Sequence, residues 1–307
     1  MTVIIHGSNS TKNAKKAAKK NSLPIFKAKM ISFSNSEFKI TIDGKVKNKK
    51  CIIIQSLCNP TNDSIIELFF IINALKKEGA TLVNLIIPYF GYARQHKQYL
   101  RGECVSFEVL ATCFLSLGVK KITTFDVHDN NSIKNFSLPI KNISLLPYLS
   151  KKIKPLLFKK FPNFNIVVAS PDKGGLARAT LFNKALTKNN TRVVFVEKKR
   201  NYKKAHDSRA VLINGEVLNK NVLLVDDIST SGGTIINAAN ICLQNGAKSV
   251  SALIIHADLA IGTAKKLQES TLKYIFISDT IEKPIENLKG FNKFTTIPIG
   301  NFFEHML

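Results

Sequence analysis

The sequence predicts an α/β protein of two duplicated domains, each a largely parallel sheet flanked by helices. Three observations lead there. Short apolar, β-branched runs such as Cys51-Ile-Ile-Ile54 and Val222-Leu-Leu-Val225 read as strands buried on both faces, as in parallel sheets. The order polar lead, buried strand, loop, amphipathic helix, Gly-Ala, strand occurs twice, as a duplicated α/β unit requires. The length of 307 residues suits two domains of about 150 residues each. The expected boundaries are 1–145 and 146–307.

Each element follows from local pattern. Met1-Thr-Val-Ile-Ile5 enters a strand directly, and Ser8-Asn9-Ser10 precedes a Lys-rich helix over Lys12–Lys20. Lys49–Gln55 is a buried strand, and Ile65–Lys77 an amphipathic helix stopped by Gly79-Ala80, with Gly as the expected C-cap. Leu82–Pro88 is the next strand, followed by a helix over Ser106–Leu117 and a strand over Lys121–Phe125. The passage between domains is expected near Leu138–Pro147. The second domain then repeats the scheme: strand Asn165–Ala169, helix Gly175–Leu186 and strand Arg192–Phe195. After these come strand Lys220–Asp226, a helix over Ile235–Gln244 ending at Gly246-Ala247, and strands Val250–His256 and Lys273–Ile277.

Bulk properties exclude several classes. No apolar run approaches the roughly 18–20 residues that span a membrane, and the N-terminus carries no basic region followed by an apolar signal core. Cys51, Cys58, Cys104, Cys113 and Cys242 are scattered without Cys-x-x-Cys spacing, so reduced thiols and a cytoplasmic location are expected. The formal charge of +24 raises the question of nucleic acid. The lysines, however, are spread along the chain among many Asn and Ile residues, which biased composition over solvated faces explains. Neither nucleic acid nor a membrane is an expected partner. A positive field would attract anionic sugar phosphates and nucleotides.

Function is concentrated in Val222-Leu-Leu-Val-Asp-Asp-Ile-Ser-Thr-Ser-Gly-Gly-Thr234. The strand is expected to end near Asp226 and Asp227, at the edge where open α/β sheets bind ligands. Thr230, Ser231, Gly232, Gly233 and Thr234 supply small hydroxyls and free backbone N–H groups just before a helix, a cradle for phosphate. Carboxylates repel phosphate but accept from sugar hydroxyls. An Asp-Asp pair alone is ordinarily a solvated turn; joined to this loop it points to a phosphorylated sugar. The matching loop of the first half, Ser56–Asp63, has no glycine cradle. A second constellation, Tyr89-Phe-Gly-Tyr-Ala-Arg-Gln-His-Lys97, offers the planar fork of Arg94 to a phosphate.

The run Val222–Thr234 resembles the ribose 5-phosphate motif of the phosphoribosyltransferase-like fold. Tyr89–Gln95 resembles the ATP-binding segment of the ribose-phosphate pyrophosphokinase family, and the likeness extends over nearly the whole chain. The resemblance implies that Arg94 and Gln95 contact ATP. It makes His128, in Phe125-Asp-Val-His128, and Asp172, in Ser170-Pro-Asp-Lys-Gly-Gly-Leu-Ala-Arg-Ala179, contacts for Mg²⁺. Without the family, Asp172 reads as a helix N-cap. Glu197-Lys-Lys-Arg200 resembles the family's catalytic loop, with Lys198 and Arg200 as stabilisers of transition-state charge and Arg200 also near ribose 5-phosphate. The polar stretch Asn201–Ser208 fits a loop that closes over substrates.

Phe33, Asn35, Ser36 and Glu37 stand where the family has an adenine-contacting Phe-x-Asp-Gly-Glu. Asn35 and Ser36 depart from it, as does His96, where Asp is usual. In such enzymes this segment serves a neighbouring subunit, which implies a homo-oligomer with shared sites. The resemblance thus implies a Mg²⁺-dependent transfer of the diphosphoryl group of ATP to O1 of ribose 5-phosphate, giving phosphoribosyl pyrophosphate and AMP. Two alternatives remain: a non-catalytic regulatory homologue, which the three departures leave open, and a phosphoribosyltransferase, which does not explain the duplicated half.

Overall fold

The structure is a computed structural model that describes residues 1–134, 136–188, 192–198, 211–286, 288 and 290–305. Arg200 and the Asn201–Ser208 stretch lie outside the described residues. The chain forms two compact units.

The first unit holds strands β1 (Thr2–His6), β2 (Ile25–Ser32), β3 (Phe38–Ile42), β4 (Lys50–Ile54), β5 (Leu82–Ile87), β6 (Lys121–Phe125) and β7 (Ile140–Ile143). Its helices are α1 (Thr11–Lys20), α2 (Thr61–Lys77) and α3 (Ser106–Ser116). The sheet order is β3-β2-β1-β4-β5-β6-β7, parallel throughout except for the β2–β3 hairpin. The second unit follows the same plan. Its strands are β8 (Ile166–Ser170), β9 (Val194–Lys198), β10 (Val211–Asn214), β11 (Asn221–Ser229), β12 (Ser249–Ala257), β13 (Ile275–Ser278) and β14 (Phe294–Ile297). Their order is β10-β9-β8-β11-β12-β13-β14, again with one antiparallel edge pair, β9–β10. Helices α4 (Leu146–Lys160), α5 (Leu176–Thr187), α6 (Gly233–Gln244), α7 (Thr263–Glu269) and α8 (Lys283–Glu286) complete the chain before a 3₁₀ turn over Gly300–His305. Two sheets of identical order are the duplication read from the sequence.

The two Gly-Ala stops close alike. Gly79 (φ +80°) and Gly246 (φ +84°) sit in the left-handed region, one position past the cap residues Glu78 and Asn245. Ala80 N–H donates to Leu75 O and Ala247 N–H to Cys242 O, both at 3.0 Å, which satisfies terminal helix carbonyls. Glycine is therefore the residue after the cap, and it meets the left-handed backbone without a Cβ penalty.

The passage between units falls at Ser144–Leu145, inside the expected Leu138–Pro147; the same stretch also carries β7, where Ile140 pairs with Ile122, and the start of α4 at Leu146. The hairpin β2–β3 and the strands β10 and β14 went unread, because edge strands such as Phe38-Lys-Ile-Thr-Ile42 alternate with polar residues and lack a continuous apolar run. Nor do the compact units follow two uninterrupted halves. Met1–Ser144 gathers Thr280–Lys283 and Pro298–Leu307, while Leu145–Asp279 gathers Pro284–Ile297. The cause is local. The Glu282 carboxylate accepts from the Lys12 and Asn13 N–H groups at 2.9 and 2.7 Å, an anion on the α1 N-terminus. Phe302 and Phe303 pack edge-on against Phe125.

Each unit has its own core. In the first, Val3, Ile5, Ile53, Leu85 and Ile122 of the sheet meet Leu68, Ile72, Phe107 and Phe114 of the helices. In the second, Leu224, Ala252, Ile254 and Ile275 meet Ile235, Ala239 and Cys242.

Candidate active site

In an open α/β sheet, ligands bind beyond the carboxyl ends of strands where the strand order reverses. In the second unit this switch lies between β8 and β11, since one neighbour leads to β9 and the other to β12. The loops leaving those strands are Pro171–Gly175 and Thr230–Gly232.

The strand carrying the aspartates does not end near Asp226 and Asp227, as expected, but runs to Ser229. Beyond Leu224, whose pairing with Ala169 is its last with β8, it keeps pairing with the equally long β12, from Asp226 opposite Ile254 to Ser229 opposite Ala257. Strand length here is set by the neighbour, which the local sequence does not encode. Asp226 and Asp227 therefore overhang the end of β8, and Asp227 is 3% exposed. Arg178, from the first turn of α5, lies across both: Nη1 is 3.7 Å from Asp226 Oδ1 and Nη2 is 3.1 Å from Asp227 Oδ2. Burial first, and the neighbouring Asp227 second, push the Asp226 carboxyl well above the usual carboxylate range, and Arg178 opposes that rise.

The cradle follows at once. Gly232 takes φ +71° as the N-cap of α6, and its carbonyl accepts the first helical bond from Ile236 N–H at 3.0 Å. Thr230, Ser231 and Thr234 are exposed, whereas Gly232 is buried against Leu267 and Thr263. The loop is pinned from behind: Thr230 O accepts from Ala260 N–H at 3.0 Å, and Ser231 O from Lys266 Nζ at 3.4 Å. Asp172 is exposed on the facing loop. It is not the N-cap of α5, which is Gly175; its Oδ1 accepts from Gly175 N–H at 2.9 Å, one step before the helix. Lys198 is the last residue of β9, paired with Val211 on the edge of the same sheet.

The first unit carries the remaining candidates on three loops. Phe33–Glu37 forms the exposed tip of the β2–β3 hairpin, closed by Phe33 N–H to Glu37 O at 2.7 Å, with Asn35 Oδ1 accepting from Glu37 N–H at 3.2 Å. Ser36, where the resembling family has glycine, takes φ +69°. Arg94 is exposed on the turn after β5; Gln95, also exposed, accepts from Ser106 Oγ through Oε1 at 2.7 Å. His128 is exposed after β6. His96 ties these last two loops together: its Nε2 is 3.3 Å from Asp129 Oδ2, and its ring lies 6.0 Å from that of His128.

The switch point of the first unit, between β1 and β4, is filled by the protein itself. The buried Glu67 carboxylate accepts from Ser8 N–H at 2.9 Å, Ser8 Oγ at 2.7 Å and Gln55 Nε2 at 2.7 Å. A carboxylate thus occupies the place of an anion, and the loss of the cradle from Ser56–Asp63 has this structural counterpart.

Among the described residues no group of three or more His, Cys, Asp or Glu converges as a metal cage. Asp172 is a surface carboxylate of the kind Mg²⁺ takes while keeping water and substrate oxygens in the rest of its shell, and His128 is an exposed imidazole on the first unit. A cleft of 690 Å³ elsewhere in the first unit, lined largely by Phe38, Ile40, Phe70 and Leu117, carries one cation, Lys39, and no carboxylate among its lining residues. Arg178, which spans the two aspartates, was given no role in the sequence. Its only sequence signal was a cation one helical turn inside the Asp-Lys-Gly-Gly segment.

Comparison with known proteins agrees over nearly the whole chain. Residues 2–118 match the N-terminal domain of ribose phosphate pyrophosphokinase, and residues 142–287 match the phosphoribosyl transferase domain. A ribose-phosphate pyrophosphokinase of Campylobacter jejuni is 35% identical over 288 residues, which cover 93% of this chain and 90% of that one. One from Fusobacterium nucleatum is 31% identical over 304 residues, covering 99% and 93%. The crystal structure of phosphoribosylpyrophosphate synthetase from Mycobacterium smegmatis, 24% identical, superposes with a TM-score of 0.87 over 99% of this chain and 96% of that one, and shares its fold.

Proposed function

The chain belongs to the ribose-phosphate pyrophosphokinase family and is an enzyme of that family, and from that premise we propose that it makes phosphoribosyl pyrophosphate from ATP and ribose 5-phosphate with Mg²⁺. The observation that carries this reading is the overhang of Asp226 and Asp227 beside the Gly232–Gly233 cradle at the switch point of the second sheet.

The division of labour follows from chemistry. The sugar phosphate lies in Thr230, Ser231, Gly232, Gly233 and Thr234, where α6 offers backbone N–H groups and partial positive charge. Asp226 and Asp227 accept from ring hydroxyls and orient the sugar. Phe33, Asn35, Ser36 and Glu37 contact the base, and Arg94 and Gln95 hold ATP. The O1 hydroxyl of the sugar attacks the β-phosphorus in line. The O1–phosphorus bond forms, the bond from β-phosphorus to the oxygen bridging to α breaks, AMP leaves with that oxygen, and the hydroxyl proton is released. Lys198 and Arg200 offset charge on the transferring group. Such chemistry rests on positioning and electrostatics. His128 and Asp172, with water and substrate oxygens, would hold Mg²⁺, and the ion would supply positive charge to offset the triphosphate.

Self-association is part of the same proposal. Met30, Ile31 and Phe33 expose apolar surface on the β2–β3 hairpin and Phe70 on α2, which supports a homo-oligomer in which the hairpin tip serves a neighbouring copy. Among the described residues no helix is long and apolar enough to cross a membrane; a cytoplasmic location is proposed from the reduced thiols.

Phosphorus NMR tests the reaction. A mixture of ATP, Mg²⁺, ribose 5-phosphate and enzyme should yield AMP and a sugar diphosphate in equal amounts. Formation of ADP instead would mean transfer of a single phosphoryl group and would overturn the assignment.

A further inference from the structure

We propose that Arg178 is a positioning residue for the sugar, its guanidinium spanning Asp226 and Asp227 to fix the geometry and charge of the pair that receives the ring hydroxyls. This rests on the reading of the two aspartates given above.

Four observations carry it. Neighbouring residues of a strand point to opposite faces, so Asp226 and Asp227 would ordinarily diverge. Here one guanidinium reaches both, at 3.7 Å through Nη1 and 3.1 Å through Nη2. The contact is largely removed from water, with the side chains of Arg178, Asp226 and Asp227 exposed by 14%, 14% and 5%. It is also made where β11 has passed its last partner on β8, so no backbone pairing on that side holds the carboxylates.

The charge argument points the same way. Two adjacent carboxylates beside a loop that takes a phosphate would repel the substrate they are meant to hold. One buried cation halves that charge while leaving carboxylate lone pairs for sugar hydroxyls. The planar fork matters as well, because it presents separate N–H groups to two carboxylates at a fixed spacing, which an ammonium cannot. An Arg that merely stabilised the fold would make the same pairs, so the test must read sugar recognition apart from folding.

Calorimetric binding of ribose 5-phosphate to the full chain provides that test, with KM for both substrates alongside. R178M should weaken sugar binding by about tenfold or more, with KM for ATP changed less than about twofold. R178K keeps the charge without the fork, and should recover part of the loss yet stay about threefold or more below the native affinity. In the cycle with D227N, the R178M/D227N double variant should bind better than the product of the single effects, because removing a carboxylate restores the charge balance. Unchanged sugar binding in R178M, equal losses for ATP and sugar, or a purely multiplicative double variant would each overturn the proposal. Should R178M fail to fold, native affinity in R178K refutes the fork. Binding needs no turnover, so native protein that binds the sugar without forming AMP refutes the proposed reaction alone. A turnover-competent protein whose R178M variant binds sugar normally refutes Arg178 alone, and native protein that does not bind ribose 5-phosphate refutes both.

Discussion

Replacing Gly232 by alanine puts the description of the cradle at risk in a calculable way. Gly232 has φ +71°, where a non-glycine residue costs about 1–2 kcal/mol. Alanine restricts the unfolded chain and returns about 0.4–1 kcal/mol of that. A new Cβ would also lie 3.1 and 3.2 Å from Leu267 Cδ2 and Cγ, inside the optimum of about 3.5–4.0 Å for carbon pairs. Leu267 is fully buried and has no solvent to move into, so this crowding adds about 1 kcal/mol. The net loss is about 1–3 kcal/mol in urea unfolding, and because the strain sits in the loop that takes the phosphate, KM for ribose 5-phosphate should rise about tenfold. Gly233 is the control. A Cβ there meets only Ser231 Oγ at 3.6 Å, and the residue opens α6, so Gly233→Ala should keep the unfolded-chain gain and stabilise by up to about 1 kcal/mol. Equal stability losses in the two variants, or none in Gly232→Ala, would refute the left-handed cap and the cradle built on it.

Three further outcomes are expected. Lys198→Ala should lower kcat far more than it raises either KM, since its proposed interaction belongs to the transition state; a rise in KM with kcat unchanged would remove it from that role. Asp226→Asn should leave the substrate-free enzyme little changed below about pH 4 and stabilise it progressively as pH rises above that. The raised Asp226 carboxyl favours its protonated form in the folded state, so its contribution is fully present below the ordinary value of about 4 and is lost as pH rises through the raised one; a gain confined to acid would contradict this. Ser36→Gly should relieve the left-handed strain at φ +69° and raise urea stability by up to about 1 kcal/mol, and a loss of stability would show that Ser36 makes a compensating contact.

What could be read from the chain depended on whether its cause was local. The two Gly-Ala stops were legible because a left-handed residue after a helix needs glycine whatever surrounds it. The duplicated order was legible because Cys51–Ile54 and Val222–Val225 are buried on both faces. The end of the Asp-Asp strand was not, since Ser229 is still paired only because β12 is equally long. Ile140–Ile143 was not read as a strand because Ile-Lys-Asn-Ile has no continuous apolar run, and its strand identity comes from pairing with β6. The Glu282 cap on α1 joins residues 270 apart in sequence, at Lys12, and no periodicity reports it. The site shows the same division: the cradle glycines and aspartates are contiguous and were seen, while Arg178 acquires meaning only through the fold. The Ser36 departure was visible, and its positive φ gives that departure a physical cost.

The most direct measurement is AMP release from ATP at saturating Mg²⁺, with and without ribose 5-phosphate, read against phosphoribosyl pyrophosphate formed. The account predicts AMP only when the sugar is present, with one phosphoribosyl pyrophosphate for each AMP. Native protein that binds ribose 5-phosphate yet releases no AMP from ATP would contradict it.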